Sequence, residues 1–159
     1  MIVWILAILI AAVGGSAVYF RTVPSDPERW HVDPLVAETP ATPNAWRVAP
    51  EPATDSEPNA EAPVYDLPAE ALASELDALI MSAPRTKRLA QSEGGLWATY
   101  LQRSRVMGFP DYISVRVIPR GEDAATLAIF SRSRFGRSDL GVNRARVENW
   151  LAGLAEFAR

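Results

Sequence analysis

The chain of 159 residues has no cysteine and a single histidine. Without cysteine there can be no disulfide, no thiolate nucleophile and no cysteine-ligated metal. The one histidine, His31, lies in a proline-rich stretch, so it is expected at the surface or facing lipid headgroups rather than as a general base. Neither a Ser-His-Asp set nor a GxSxG elbow can be assembled, and a zinc site would lack ligands. No catalytic residue, metal site or cofactor is therefore expected. Positive charge is also scarce in the first half. Residues 1–83 carry three arginines against twelve acids, and residues 84–159 carry thirteen Lys/Arg against seven acids. A basic domain is thus concealed inside an overall charge of −3.

Residues 2–20, IVWILAILIAAVGGSAVYF, contain no charged side chain. At 1.5 Å per residue such a helix reaches about 28 Å, close to the thickness of a bilayer's hydrocarbon core. Residues 1–20 are expected to be a single transmembrane helix. A signal peptide is the alternative, since Gly15, Ser16 and Ala17 offer small residues for cleavage, but the basic leader of such peptides is missing. Orientation is weakly marked. Arg21 and Arg29 after the helix bias the domain slightly toward the cytoplasm.

Residues 21–63 hold most of the thirteen prolines, and such a segment supports neither a long helix nor a central strand. With its negative charge, it is expected to be a largely disordered tether in polyproline II conformation. Two aromatic islands interrupt it. Trp46, and with it Trp30, is expected to pack on the domain or on the headgroup region.

Residues 64–159 read as one α+β domain. Leu72, Leu76, Leu79 and Ile80 recur at helical spacing over residues 69–82, and Val147, Trp150, Leu151, Leu154 and Phe157 do so over 142–158. Between them lie four strand-like runs at 85–91, 96–106, 112–118 and 126–134, each bounded by turn residues. The expectation is a four-stranded antiparallel sheet with two flanking helices on one face. Strand alternation puts Leu127, Ile129, Ser131 and Ser133 on one face, with Ala128, Phe130, Arg132 and Arg134 on the other. Ile113, Val115 and Val117 oppose Arg116 in the same way. The aliphatic face belongs under the helices and the arginine-aromatic face toward the open side.

The run FSRSRFGRSDLGVNRARVENWL, preceded by GFPDYISVRV and TPNAWRVAP, resembles the domain of unknown function 1499 family over roughly residues 40–158. Its most distinctive signature is matched by Arg132, Ser133, Arg134, Gly136, Ser138, Asp139, Gly141, Asn143, Arg144, Arg146 and Val147. Gly108, Phe109 and Asp111 are similar to a second family segment. Many members carry cysteine after Pro43 and Asn44, where this chain has Ala45, so no role resting on a thiol carries over. The resemblance implies a small envelope- or membrane-associated domain behind an N-terminal signal or anchor, and no particular chemistry. On that basis the inner membrane, with an extracytoplasmic domain, is the expected location.

Planar guanidinium groups suit phosphates and carboxylates, and Gly141 near a helix start leaves backbone N–H groups for an anion. Arg103, Arg105, Arg132, Arg134, Arg137 and Arg144 are the candidate anion-binding set. The competing reading pairs some of them with Asp111, Asp139 and Glu148, in a structural network with Ser138, Gly141 and Asn143, where Asp139 caps the helix. The leading expectation is a non-catalytic binding or scaffolding module for an anionic lipid, a glycan or a protein partner. An enzyme or accessory subunit acting on an envelope phosphate or glycan through Asp111, Asp139 and the arginines is the alternative. Nucleic acid, stacked on Trp97, Tyr112 and Phe130, is disfavoured by the membrane anchor and the acidic tether.

Overall fold

The computed structural model describes residues 1–51 and 57–159. It opens with α1 (Ile2–Thr22), which buries none of its residues and is long and apolar enough to cross a membrane. Because its side chains are apolar on all sides, no stripe is left to pack against a soluble core. After it come a one-turn helix, α2 (Pro27–Trp30), and three short strands, β1 (Ala45–Ala49), β2 (Ala60–Glu61) and β3 (Val64–Tyr65). The remainder is α3 (Ala69–Ser82), β4 (Thr86–Gln91), β5 (Trp97–Arg103), β6 (Pro110–Pro119), β7 (Ala125–Ser133) and α4 (Val142–Gly153), with a 3-10 turn at Ala155–Phe157.

Strands β4 to β7 form the expected antiparallel meander, joined by tight turns in which Gly94, Gly95 and Gly121 take positive φ. The aliphatic faces of β6 and β7 meet Leu72, Leu76 and Ile80 of α3, and Val147 and Trp150 of α4. These residues, together with Tyr100 and Val48, make one core on one side of the sheet. The last helix is shorter than its apolar periodicity predicts. It stops at Gly153, where an added Cβ would stand 3.0 Å from Leu79 Cδ1, so α3 and α4 approach closely there and a larger residue would have to displace the Leu79 side chain.

The sheet has seven strands rather than four, because part of the expected tether joins it. β1 lies antiparallel on β7, with Ala45 opposite Arg132 and Val48 opposite Ile129, and β2 runs parallel to β1. β3 pairs further along β7, Val64 opposite Thr126 and Tyr65 opposite Ala125. The physical reason is the edge of β7. In a four-stranded sheet its outer row of N–H and C=O groups would be unpaired, a free edge that folded proteins cover. Between Pro43 and Pro50 the chain leaves AWRVA, five residues free of proline and long enough to do so. Trp46 and Val48 thereby join the helix side, and Arg47 points to the other face.

That other face is not open. Residues 20–37 cross it as a strap held flat on the sheet. Asp26 starts α2 by accepting a hydrogen bond from the Glu28 N–H at 3.0 Å, with Pro27 in the first helical position where its missing N–H is harmless. Much of the expected tether is therefore folded against the domain, so α1 is connected to the domain through packed structure.

Candidate functional site

Prolines and the extended backbone leave the strap with carbonyls that have no donors within the strap itself. The arginines of the sheet supply those donors. Arg134 Nη1 donates to the Pro24 carbonyl at 2.7 Å, Arg132 Nη2 to the Trp30 carbonyl at 2.9 Å, and Trp97 Nε1 to the Val32 carbonyl at 3.3 Å. Arg47 Nη2 donates to the Ala37 carbonyl, and Arg116 pairs with Asp33. Arg103 donates to the Phe20 carbonyl, which lies in the last turn of α1, and to the Val23 carbonyl at 3.4 Å. Arg103 thus caps the carbonyl end of α1, where orphan acceptors and the helix dipole both favour a cation.

Aromatic rings close the same interface. Trp30 stacks on Tyr112, with centroids 3.8 Å apart and planes 8° from parallel, and His31 stacks on Trp97 at 4.1 Å. The His31 Nδ1 lies 2.9 Å from the Thr99 hydroxyl, which in turn meets the Ser114 hydroxyl at 3.1 Å. Arg47 and Arg132 sit over the Phe130 ring at 4.2 and 4.9 Å. Burial, followed by the charge of Arg47, pulls the Arg132 guanidinium down to about 10, so it is still a cation at neutral pH. Arg132 is stabilised by carbonyls, the Ser114 hydroxyl and π faces, and Arg47 by the Ala37 carbonyl and the Phe130 face, its Nε and Nη1 being buried without a hydrogen-bond partner among the described residues. No carboxylate of the described residues forms a salt bridge with either. The three rings expected to offer a stacking platform are covered by the protein's own residues. His31, expected outside the domain, lies half-buried within this interface.

The Gly-Ser-Asp turn after β7 forms a second, separate network. Asp139 accepts hydrogen bonds from the N–H groups of Gly141 at 3.1 Å and Asn143 at 2.7 Å, and Ser138 accepts one from Leu140 at 3.2 Å. The helix start expected to offer N–H groups to an anion is thereby filled by the chain's own carboxylate. Gly141, at φ 81°, supplies the left-handed turn into α4. Asn143, fully buried, donates from Nδ2 to the Asn44 carbonyl at 3.0 Å and accepts at Oδ1 from Ser131 at 2.6 Å.

At its centre is Arg146, which strand and helix patterns did not single out. It donates to Asp111 Oδ2, Asn143 Oδ1 and Gln102 Oε1, each at 2.6 Å, and to the Ser131 hydroxyl at 2.8 Å. Its place in the family signature and its spacing of three from Asn143 on one helix face were the sequence signals available. Arg47 was missed for a related reason, since it lay in a segment expected to be a tether.

The six candidate arginines therefore do not line one site. Arg103, Arg132 and Arg134 hold the strap. Arg144 pairs with Glu148 at 2.7 Å on the outside of α4 and lies 5.0 Å from the Trp46 ring. Arg105 and Arg137 are exposed, with no hydrogen bond or ion pair to any described residue. They flank a groove of about 240 Å³ whose lining includes Phe109, Phe135, Leu140, Val142, Asp111 and Asp139. With Asp111 spent on Arg146 and Asp139 on two N–H groups, the groove holds no carboxylate free for proton transfer, and no metal-binding cluster occurs among the described residues.

Two outcomes follow from this geometry. Arg146→Met should destabilise the domain by about 3–5 kcal/mol, because it leaves Asp111 buried without its partner. Adding Asp111→Asn should recover much of that loss in urea unfolding, whereas additive losses would show that the pair is not coupled. Burial lowers the His31 pKa below its usual 6.5. A displaced strap then takes up a proton that the docked strap refuses, so docking is at full strength above about pH 6.5 and weakens as pH falls below it. Hydrogen exchange over residues 23–37 should quicken from pH 7.5 to 5 after correction for intrinsic rates, and His31→Phe, which keeps the stack on Trp97, should remove that dependence. An identical pH response in the variant would rule His31 out as its source.

A family model described as protein of unknown function (DUF1499) matches residues 35–154, from the end of the strap through α4. No curated protein matches the chain. Among solved structures, the chain is similar to the crystal structure of the di-domain ARO/CYC BexL from the BE-7585A biosynthetic pathway, at 15% identity and a TM-score of 0.45. That match covers 60% of this chain and 44% of the other, so the chain spans less than half the length of its match, and a likeness at that level does not extend to function. The family match takes in both the arginine-bearing sheet and the Asp139-Asn143-Arg146 network, and on it the chain belongs to the family of proteins of unknown function DUF1499.

Proposed function

We propose that this protein is a single-pass, membrane-anchored, non-catalytic binding module. In this reading α1 spans the inner membrane and the domain lies on its extracytoplasmic side. The basic surface for anionic envelope components is the pair Arg105 and Arg137. The observation that carries the reading is how the arginines are divided. Those under the strap are occupied by carbonyls and rings, and Arg146 by four side chains, while Arg105 and Arg137 stay exposed without a partner among the described residues. The enzymatic alternative has less support, since Asp111 is paired with Arg146 and Asp139 accepts from the N–H groups of Gly141 and Asn143. Nucleic-acid stacking has less still, since Trp97 and Tyr112 are already stacked.

The full chain in neutral-lipid nanodiscs should bind soluble polyphosphate, and R105E/R137E should lose that binding several-fold more than R144E, which already has Glu148 as partner. Equal losses, or none, would remove the two arginines from the site. For topology, the absence of cysteine permits a single reporter. E122C in the exposed turn before β7 should react with a membrane-impermeant maleimide on intact cells. Protection until lysis would put the domain on the cytoplasmic side.

A further inference from the structure

The end of the domain nearest α1 carries apolar side chains that no described residue covers. Leu140 is 94% exposed and holds φ at 55°, in the left-handed region that costs a residue with a Cβ and that Asn or Gly fills more easily. Leucine there is both strained and hydrated. It is not a loose side chain, because the bonds from Leu140 N to Ser138 and from Gly141 N to Asp139 order the turn that projects it. Val106, 74% exposed, projects from the neighbouring loop, where Arg21 at the end of α1 donates to its carbonyl. Such strain is a pointer to function when the surrounding turn enforces it.

Where these residues sit is set by α1. Its apolar run ends at Phe20, whose ring lies 4.3 Å from that of Phe109 and 5.0 Å from that of Phe135. If α1 crosses a bilayer, Phe109 and Phe135 touch its last apolar turn and therefore stand at the interface, the level at which aromatic side chains collect. Phe109 and Phe135 also line the groove that Leu140 and Val142 share. Arg105 adjoins Val106 and Arg137 lies in the loop between Phe135 and Leu140, both exposed and unpaired among the described residues. Asp139, the acid nearest Leu140, is turned inward onto the N–H groups of Gly141 and Asn143. Apolar tips beside cations, at the height where a spanning helix leaves the hydrocarbon, match one occupant.

We infer that the 104–109 and 135–142 loops seat the domain on the anionic leaflet surface, with Leu140 and Val106 inserted among the acyl chains and Arg105 and Arg137 on lipid phosphates. This rests on the reading of α1 as an anchor, and it makes the lipid surface the anionic partner of those two arginines. The strap is what enforces the seating. Arg103 on the Phe20 and Val23 carbonyls fixes α1 to the domain, so the same end faces the bilayer each time the helix is inserted.

The cysteine-free chain gives a direct test. Full-length L140C and V106C, each labelled with the fluorophore NBD, are reconstituted into vesicles of phosphatidylcholine with or without phosphatidylglycerol, beside E122C at the far end of β6. Vesicle flotation reports anchoring, and quenching by doxyl-labelled lipid reports seating. With phosphatidylglycerol, both loop probes should shift to the blue and be quenched while E122C stays aqueous. R105Q and R137Q should each lower the seating equilibrium roughly fivefold. A chain that floats with both loop probes aqueous overturns the seating and leaves the anchor standing, and a chain that fails to float overturns both. Equal quenching with and without phosphatidylglycerol overturns the anionic preference.

Discussion

Buried guanidinium groups need acceptors, and in this protein the acceptors are chiefly backbone carbonyls, with Nε and Nη1 of Arg47 left against the Phe130 ring without one among the described residues. An arginine has up to five donors and keeps its charge under burial, so Arg47, Arg103, Arg132 and Arg134 would be prohibitively placed beneath an ordinary apolar cover. A proline-rich strap answers that need, because a chain that makes few hydrogen bonds of its own presents carbonyls to whatever lies beneath it. The same contacts fix the strap, which no hydrophobic periodicity would have held. Two stacked pairs, Trp30 on Tyr112 and His31 on Trp97, pack the strap against the sheet beside those bonds. Each half of the arrangement is unfavourable without the other.

The two faces of the sheet are thus closed by different physics. On one, α3 and α4 bury aliphatic side chains of β6 and β7 in a conventional core. On the other, polar and charged groups are matched to the carbonyls of a strap whose apolar contribution is confined to a few residues such as Val23 and Trp30. The turn between β7 and α4 joins them, since Arg146 reaches from the helix to Asp111 at the start of β6 and to Ser131 near the end of β7. That buried ion pair, with Asn143 and Asp139 around it, sets how α4 sits on the sheet. It explains a signature dense in Arg, Ser, Asp and Asn without requiring that any of them meet a substrate.

Fixing α1 to the domain changes what the protein can present. A flexible tether would let the domain sample every orientation at some distance from the bilayer, whereas a docked helix end holds one face toward it. Arg105 and Arg137, together with the exposed Val106 and Leu140, lie on the loops at the α1 end of the domain, which is why the proposed seating places them against lipid.

Much of this architecture was legible in the residues. The membrane-length apolar run, the four strands from β4 to β7, both packing helices and the partition of β7 into an aliphatic and an arginine-aromatic face all follow from periodicity, because alternation and helical spacing are local. Membership of the family was visible in the stretch from Arg132 to Val147. What periodicity could not supply was anything set by distant partners. Proline density argued correctly against long elements in residues 21–63, yet it could not show that the edge of β7 would recruit AWRVA as a strand or that free carbonyls would be recruited by arginines a hundred residues away. Whether an arginine faces solvent, a carboxylate or a carbonyl depends on what folds over it, and in this chain that was decided only when the strap closed on the sheet.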